Sequence, residues 1–216
     1  LALPGRRKFQ QGGVSLATSV GDSEEFMGLR DYRPGDPLQR LHWKSFARTG
    51  RPIVREFQDE FFERHALLLD TSRSEGEDEI FEEAVAVAAS FVYTIDTREC
   101  LLDLLFVGAR VHSYTAGRGQ MSGEHLLEVL AAVGPSPAAA FAGMARAARE
   151  RLAGTSSALL VLVHWDEGRR ALAEALLGAG LEVRAMLVAR HKPVDAPPRL
   201  NVLAPGEIEA GLGRMR

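Results

Sequence analysis

The chain is 216 residues long, 46% apolar and 25% charged, with a formal net charge of -3. That balance supports a folded core and gives no global electrostatic case for nucleic acid or an anionic membrane, so no nucleic-acid partner is expected. The single cysteine, Cys100, excludes an internal disulfide and reads as a buried structural thiol in an apolar run. No apolar run is long enough to cross a bilayer. A cytoplasmic location is therefore expected, either free or as the cytoplasmic part of a membrane-anchored protein. A start at Leu1 reads as a fragment or a processed form, and any membrane anchor is expected in the missing part upstream.

Residues 1–62 are rich in glycine, arginine and turn formers, with strand signals at Val14 to Val20 and Pro52 to Phe62, and read as an extended β-rich arm. Within it, Pro34-Gly35-Asp36-Pro37 demands a sharp turn, with Asp36 placed to bond the backbone around it. Tyr32 and Trp43 are suited to anchoring the arm. Arg30, Arg33, Arg40, Lys44, Arg48, Arg51 and Arg55 form a local positive region, followed by the acidic residues Glu56, Asp59, Glu60 and Glu63. Arginine forks serve internal ion pairs as readily as interfaces. The arm therefore either pairs its arginines with its own carboxylates or offers them to an acidic partner. On the second reading the binding residues are Arg30, Tyr32, Arg33, Asp36, Trp43, Lys44, Arg48 and Arg55.

From residue 63 to 216, apolar runs alternate with helical periodicity, the pattern of a mostly parallel sheet covered by helices. Ala66 to Leu69 reads as a strand buried on both faces. The three- and four-residue spacing of Ile80, Phe81, Ala84, Val85, Ala88, Phe91, Val92 and Ile95 predicts an amphipathic helix with acidic residues at its start. Cys100 to Val107 and Arg110 to Tyr114 read as a hairpin turning through Gly108-Ala109, which makes one antiparallel edge strand. Ser122 is a candidate cap for a helix bearing Leu126, Leu127 and Leu130, and Gly134-Pro135-Ser136-Pro137 separates it from an alanine-rich helix running towards Leu152. A strand at Ala158 to Val163, a helix through Leu172, Leu176 and Leu177, a strand at Leu181 to Val188 and a last strand at Leu200 to Leu203 complete the series.

In a doubly wound sheet, ligands gather beyond the carboxyl ends of the strands, where the winding reverses. Asp70 ends the first strand of this domain, and Asp166 ends the strand that such winding places beside it. Asp70, Ser72 and Ser74 offer one carboxylate and two hydroxyls on a single turn, a hard-oxygen set suited to magnesium or manganese. The structural alternative is that the serines form a turn and cap while Asp70 accepts backbone hydrogen bonds. Arg73, between the serines, opposes a metal unless it points away.

Two resemblances follow from these residues. Asp70-Thr71-Ser72-Arg73-Ser74 at the end of a first buried strand resembles the metal-ion-dependent adhesion site of von Willebrand factor A domains. The resemblance implies a Rossmann-like, doubly wound α/β fold and completion of the metal shell by a later threonine and by an aspartate, here Asp166. The threonine position is not matched, and Ser136 is the candidate substitute. The segment from Gly28 to Phe57 carries Leu29-Arg30-Asp31-Tyr32-Arg33-Pro34-Gly35-Asp36, then Trp43-Lys44, Ala47-Arg48 and Val54-Arg55-Glu56-Phe57. This succession resembles the signature of the bacterial family called domain of unknown function 58. That resemblance implies a non-catalytic adaptor encoded beside, and working with, a MoxR-type AAA+ ATPase in the assembly or maturation of a protein complex.

The competing class is a metal-dependent hydrolase or phosphotransferase using Asp70. A haloacid-dehalogenase-type phosphatase needs a second aspartate two positions on, where Ser72 stands. No glycine-rich phosphate loop or paired histidine-glutamate metal motif appears, and His164 has no nucleophile in a triad context. The expectation is that the chain is not an enzyme.

Overall fold

A computed structural model describes residues 26–57, 63–73, 77–97, 100–117, 120–152 and 154–213. Ser74 and the strand expected at Val14 to Val20 lie outside them. The described residues fall into two compact units, 26–57 and 63–213.

In the first unit, β1 (Phe26–Asp31) pairs antiparallel with β2 (Ile53–Phe57), with Arg30 opposite Val54 and Leu29 opposite Arg55. Between them the chain makes a short 3₁₀ turn at Leu38–Arg40 and a helix, α1 (Trp43–Thr49). The helix corrects the reading of this arm as extended and β-rich. Seven residues are too few to display helical periodicity, and what defines the helix is its end: Gly50 takes a left-handed conformation (φ 66°) and its amide closes on the Phe46 carbonyl.

The second unit holds six strands among the described residues: β3 (Glu63–Leu69), β4 (Cys100–Val107), β5 (Val111–Ala116), β6 (Ser157–Leu162), β7 (Glu182–Val188) and β8 (Leu200–Leu203). They lie in the order β5-β4-β3-β6-β7-β8, all parallel except β5, which pairs antiparallel with β4 at the edge. Among the described residues the unit also holds five α-helices: α2 (Asp78–Thr94), α3 (Gly123–Ala131), α4 (Phe141–Arg151), α5 (Glu167–Gly178) and α6 (Ile208–Gly213). The fold is the doubly wound, mostly parallel α/β arrangement that the alternation predicts.

Strand residues alternate between two apolar layers because successive side chains point to opposite faces. Leu67 and Leu69 pack with Ala84, Phe91, Leu126 and Leu130 of α2 and α3, while Ala66 and Leu68 pack with Met144, Ala148, Leu172 and Leu176 of α4 and α5. Ser122 caps α3 by accepting the His125 amide at 3.3 Å. The β4–β5 hairpin forms as expected, but Gly108 is not among the positive-φ glycines; its amide donates to the Arg110 carbonyl at 2.9 Å in a three-residue connection.

After β3 the chain crosses to β4 on one side and later returns to β6 on the other. The carboxyl ends of β3 and β6 therefore border the crevice where winding reverses, and they carry Asp70 and the loop leading to Asp166.

Candidate functional site

Asp70 follows β3 and is 1% exposed. Its backbone amide extends the pairing with β6 by donating to the Val161 carbonyl at 2.8 Å. The turn after it folds back on its own carboxylate: the Ser72 amide and hydroxyl donate to Oδ1 at 3.1 and 2.6 Å. Val163, just beyond β6, donates its amide to Oδ2 at 3.4 Å.

The remaining partner is Arg169, in the first turn of α5 and 3% exposed. Helical side chains lean towards the amino terminus, which carries this guanidinium back over the strand ends. Its Nε donates to Asp70 Oδ2 at 2.8 Å, its Nη2 to the Ser72 hydroxyl at 2.6 Å, and its Nη1 to Asp166 Oδ2. The ring of Phe141, at the start of α4, lies 4.2 Å from the guanidinium carbon, in cation–π contact. Asp166 is the N-cap of α5 and accepts the Arg169 amide at 3.0 Å through Oδ1. Partial burial opposes ionisation of Asp166, but the Arg169 amide and guanidinium outweigh it and hold the carboxyl below the usual range.

Three of the expected metal ligands, Asp70, Ser72 and Asp166, therefore converge, but on a guanidinium. Ser136 arrives through backbone pairing, its amide donating to the Thr71 carbonyl at 2.8 Å and its carbonyl accepting the Arg73 amide at 3.1 Å. Its hydroxyl bonds Thr71 Oγ1 at 3.0 Å rather than joining the Asp70 cluster, which corrects its expected part in a metal shell. Arg73 points out to Asp78 and does not enter the site. His164 Nε2 lies 3.6 Å from Glu77 Oε2. Among the described residues, no group of three or more His, Cys, Asp or Glu side chains is arranged to hold a metal ion.

The donor set therefore does not fit the divalent ion implied by the adhesion-site resemblance. Magnesium needs several oxygens converging at about 2.0–2.1 Å on one point. Here the oxygens are spread along a planar fork, at separate nitrogens, and both Asp70 oxygens are already engaged. Sequence reasoning missed Arg169. The available signal was a cation in the first turn of a helix, where the macrodipole disfavours it and a carboxylate partner is called for.

The arm unit is built differently. Arg33-Pro34-Gly35-Asp36 forms a tight turn, the Asp36 amide donating to the Arg33 carbonyl at 3.0 Å with Gly35 at φ 107°, as the Pro-Gly pair at its centre requires. Asp36 then accepts the Arg33 amide at 2.7 Å and both terminal nitrogens of Arg30, at 2.7 and 2.8 Å. These bonds, Arg30 first, hold the Asp36 carboxyl down at about 2. Arg30 Nε also lies 3.3 Å from Glu56. Arg30 and Asp36, expected at a partner interface, are thus engaged within the unit.

Five other cations of the arm are presented outward. Arg33, Lys44, Arg48, Arg51 and Arg55 are exposed, and Lys44, Arg48, Arg51 and Arg55 form no ion pair among the described residues. Trp43, expected as an anchor, is 63% exposed and meets Phe46 edge-on, with ring centroids 6.1 Å apart. Tyr32 is half-buried, and its amide donates to the Pro52 carbonyl at 3.0 Å.

Residues 28–173 match the family model described as "Protein of unknown function DUF58". The uncharacterized protein YeaD of Bacillus subtilis is 28% identical over 126 residues, which cover 57% of this chain and 31% of that protein. The chain thus spans under a third of the length of this curated relative. Among solved structures, a von Willebrand factor type A protein from Catenulispora acidiphila aligns over 76% of this chain and 43% of its own, with a TM-score of 0.50 and 9% identity. Proximal thread matrix protein 1 from the mussel byssus aligns over 71% of this chain and 44% of its own, with a TM-score of 0.54 and 10% identity. These likenesses establish a von Willebrand factor A-like fold for the second unit's α/β architecture.

Proposed function

The chain belongs to the DUF58 family of proteins of unknown function, and from that premise we propose that it is a non-catalytic protein-interaction module whose partner is a MoxR-type AAA+ ATPase, acting in the assembly or maturation of a protein complex. The observation that carries this reading is the exposed set Trp43, Lys44, Arg48 and Arg55 in the unit bearing the family signature. Exposed aromatic and cationic side chains without ion pairs among the described residues suit an acidic, partly apolar partner surface, and tryptophan and arginine are the residue types enriched at binding hot spots. The reading also puts the module in the cytoplasm, free or tethered by another segment; among the described residues no helix is long and apolar enough to cross a membrane.

Asp70 is a poor fit to the competing role of nucleophile, because it is buried and both its oxygens are engaged. The test is a binding measurement with the purified MoxR-type ATPase of the same organism. The native chain is expected to capture it, and a Trp43→Ala/Lys44→Glu/Arg48→Glu variant to weaken binding by about 2 kcal/mol, roughly thirtyfold in Kd. Failure of the native chain to enrich the ATPase, or equal capture by the variant, would overturn the proposal.

A further inference from the structure

We propose that Arg169 is the resident cation of the winding-reversal edge: its guanidinium supplies among Asp70, Ser72 and Asp166 the positive charge that a divalent ion would otherwise bring, and excludes such an ion. Three observations converge. The guanidinium contacts all three side chains through three different nitrogens. It is buried, so it is a fixed part of the edge rather than a mobile surface charge. Phe141 lies against it and packs in the helix-side core, leaving the fork anchored on that side as well.

A second cation beside it would face direct like-charge repulsion, and no Asp70 oxygen is left without a donor. The serine hydroxyl is satisfied in both senses, accepting from Arg169 and donating to Asp70. Only Asp166 reaches solvent, its side chain 54% exposed, and there it is held by the same guanidinium. Without Arg169, two carboxylates and a hydroxyl would remain around a vacated volume, a hard-oxygen set for a small divalent ion. The inference concerns the domain's own chemistry and stands independently of the proposed ATPase partner.

Manganese binding decides it, followed by the loss of the free-ion electron paramagnetic resonance signal and by circular dichroism. The native chain is expected to leave the signal and its melting temperature unchanged at millimolar Mn2+. Arg169→Ala and Arg169→Gln are expected to gain binding, and any fold lost in chelator is expected to return when Mn2+ is added. Substituting Asp70→Asn in either variant is expected to abolish that gain. Manganese binding by the native chain that disappears in Asp70→Asn would overturn the proposal. So would variants that neither bind the ion nor recover fold with it.

Discussion

Arg169 and Arg30 each hold an aspartate through charge-assisted hydrogen bonds of nearly equal length, 2.8 Å to Asp70 and 2.7 and 2.8 Å to Asp36. The side chains of the first pair are 4% and 1% exposed, and those of the second 33% and 17%. In the sheet domain the ions have left water, so each must be matched by another protein group or become a large penalty. In the arm, water competes for both ions, so the pair trims a turn without deciding the fold. The same fork thus serves as architecture at the sheet edge and as local order in the arm, where Lys44, Arg48, Arg51 and Arg55 are exposed and form no ion pair among the described residues.

The sharpest break of this comparison is Arg169→Ala. It leaves Asp70 buried and short of its cation, and removal of one member of a buried pair costs about 3–5 kcal/mol. Chemical denaturation in the presence of chelator should show a loss of that size, whereas Arg30→Ala should move the midpoint far less. Equal effects at the two sites would mean that burial does not separate them.

How much of this contrast the sequence discloses depends on the range of the interactions. The strand at Leu200–Leu203, the amphipathic helix begun by Asp78 and Glu79 and the Ser122 cap are local patterns, and they appear where the periodicity predicts. The nearness of Asp70 to the loop bearing Asp166 follows from strand order, itself a consequence of alternating elements. The occupant of that edge does not follow. Arg169 is 99 residues from Asp70, and only the placement of the first turn of α5 beside the strand ends brings its guanidinium onto them. Arg73 is the cation nearest to Asp70 in sequence, yet its fork turns out to Asp78. In the arm, α1 is not legible in the sequence because its seven exposed or half-buried residues carry no apolar stripe.

An intermediate effect is expected from His65, which is buried on β3 with Nδ1 2.8 Å from the Ser157 hydroxyl. Burial pushes its pKa below 6.5, with Glu63 opposing only in part. The unfolded chain therefore takes the proton first, so this contribution is full above about pH 6.5 and declines as the pH falls. Melting temperature should fall between about pH 7 and pH 5, more steeply in the native chain than in His65→Gln. An identical slope in the two would remove His65 as the cause.

The smallest effect belongs to Asp36, and its sign follows from the same linkage applied to an acid. The folded carboxyl is held at about 2 against an ordinary 3.8, chiefly by Arg30 and the Arg33 amide. Its stabilisation is therefore present above about pH 4 and is lost as the pH falls towards 2. Because Asp36 is solvated, the native chain and Asp36→Asn should differ only slightly near neutrality, and that difference should vanish on acidification through this window. A side-chain NMR titration of Asp36 reads the cause directly. A midpoint at the ordinary carboxylate value would show that Arg30 does not hold the turn in solution, and would release Arg30 to join Lys44, Arg48 and Arg55 on the surface proposed to face a partner.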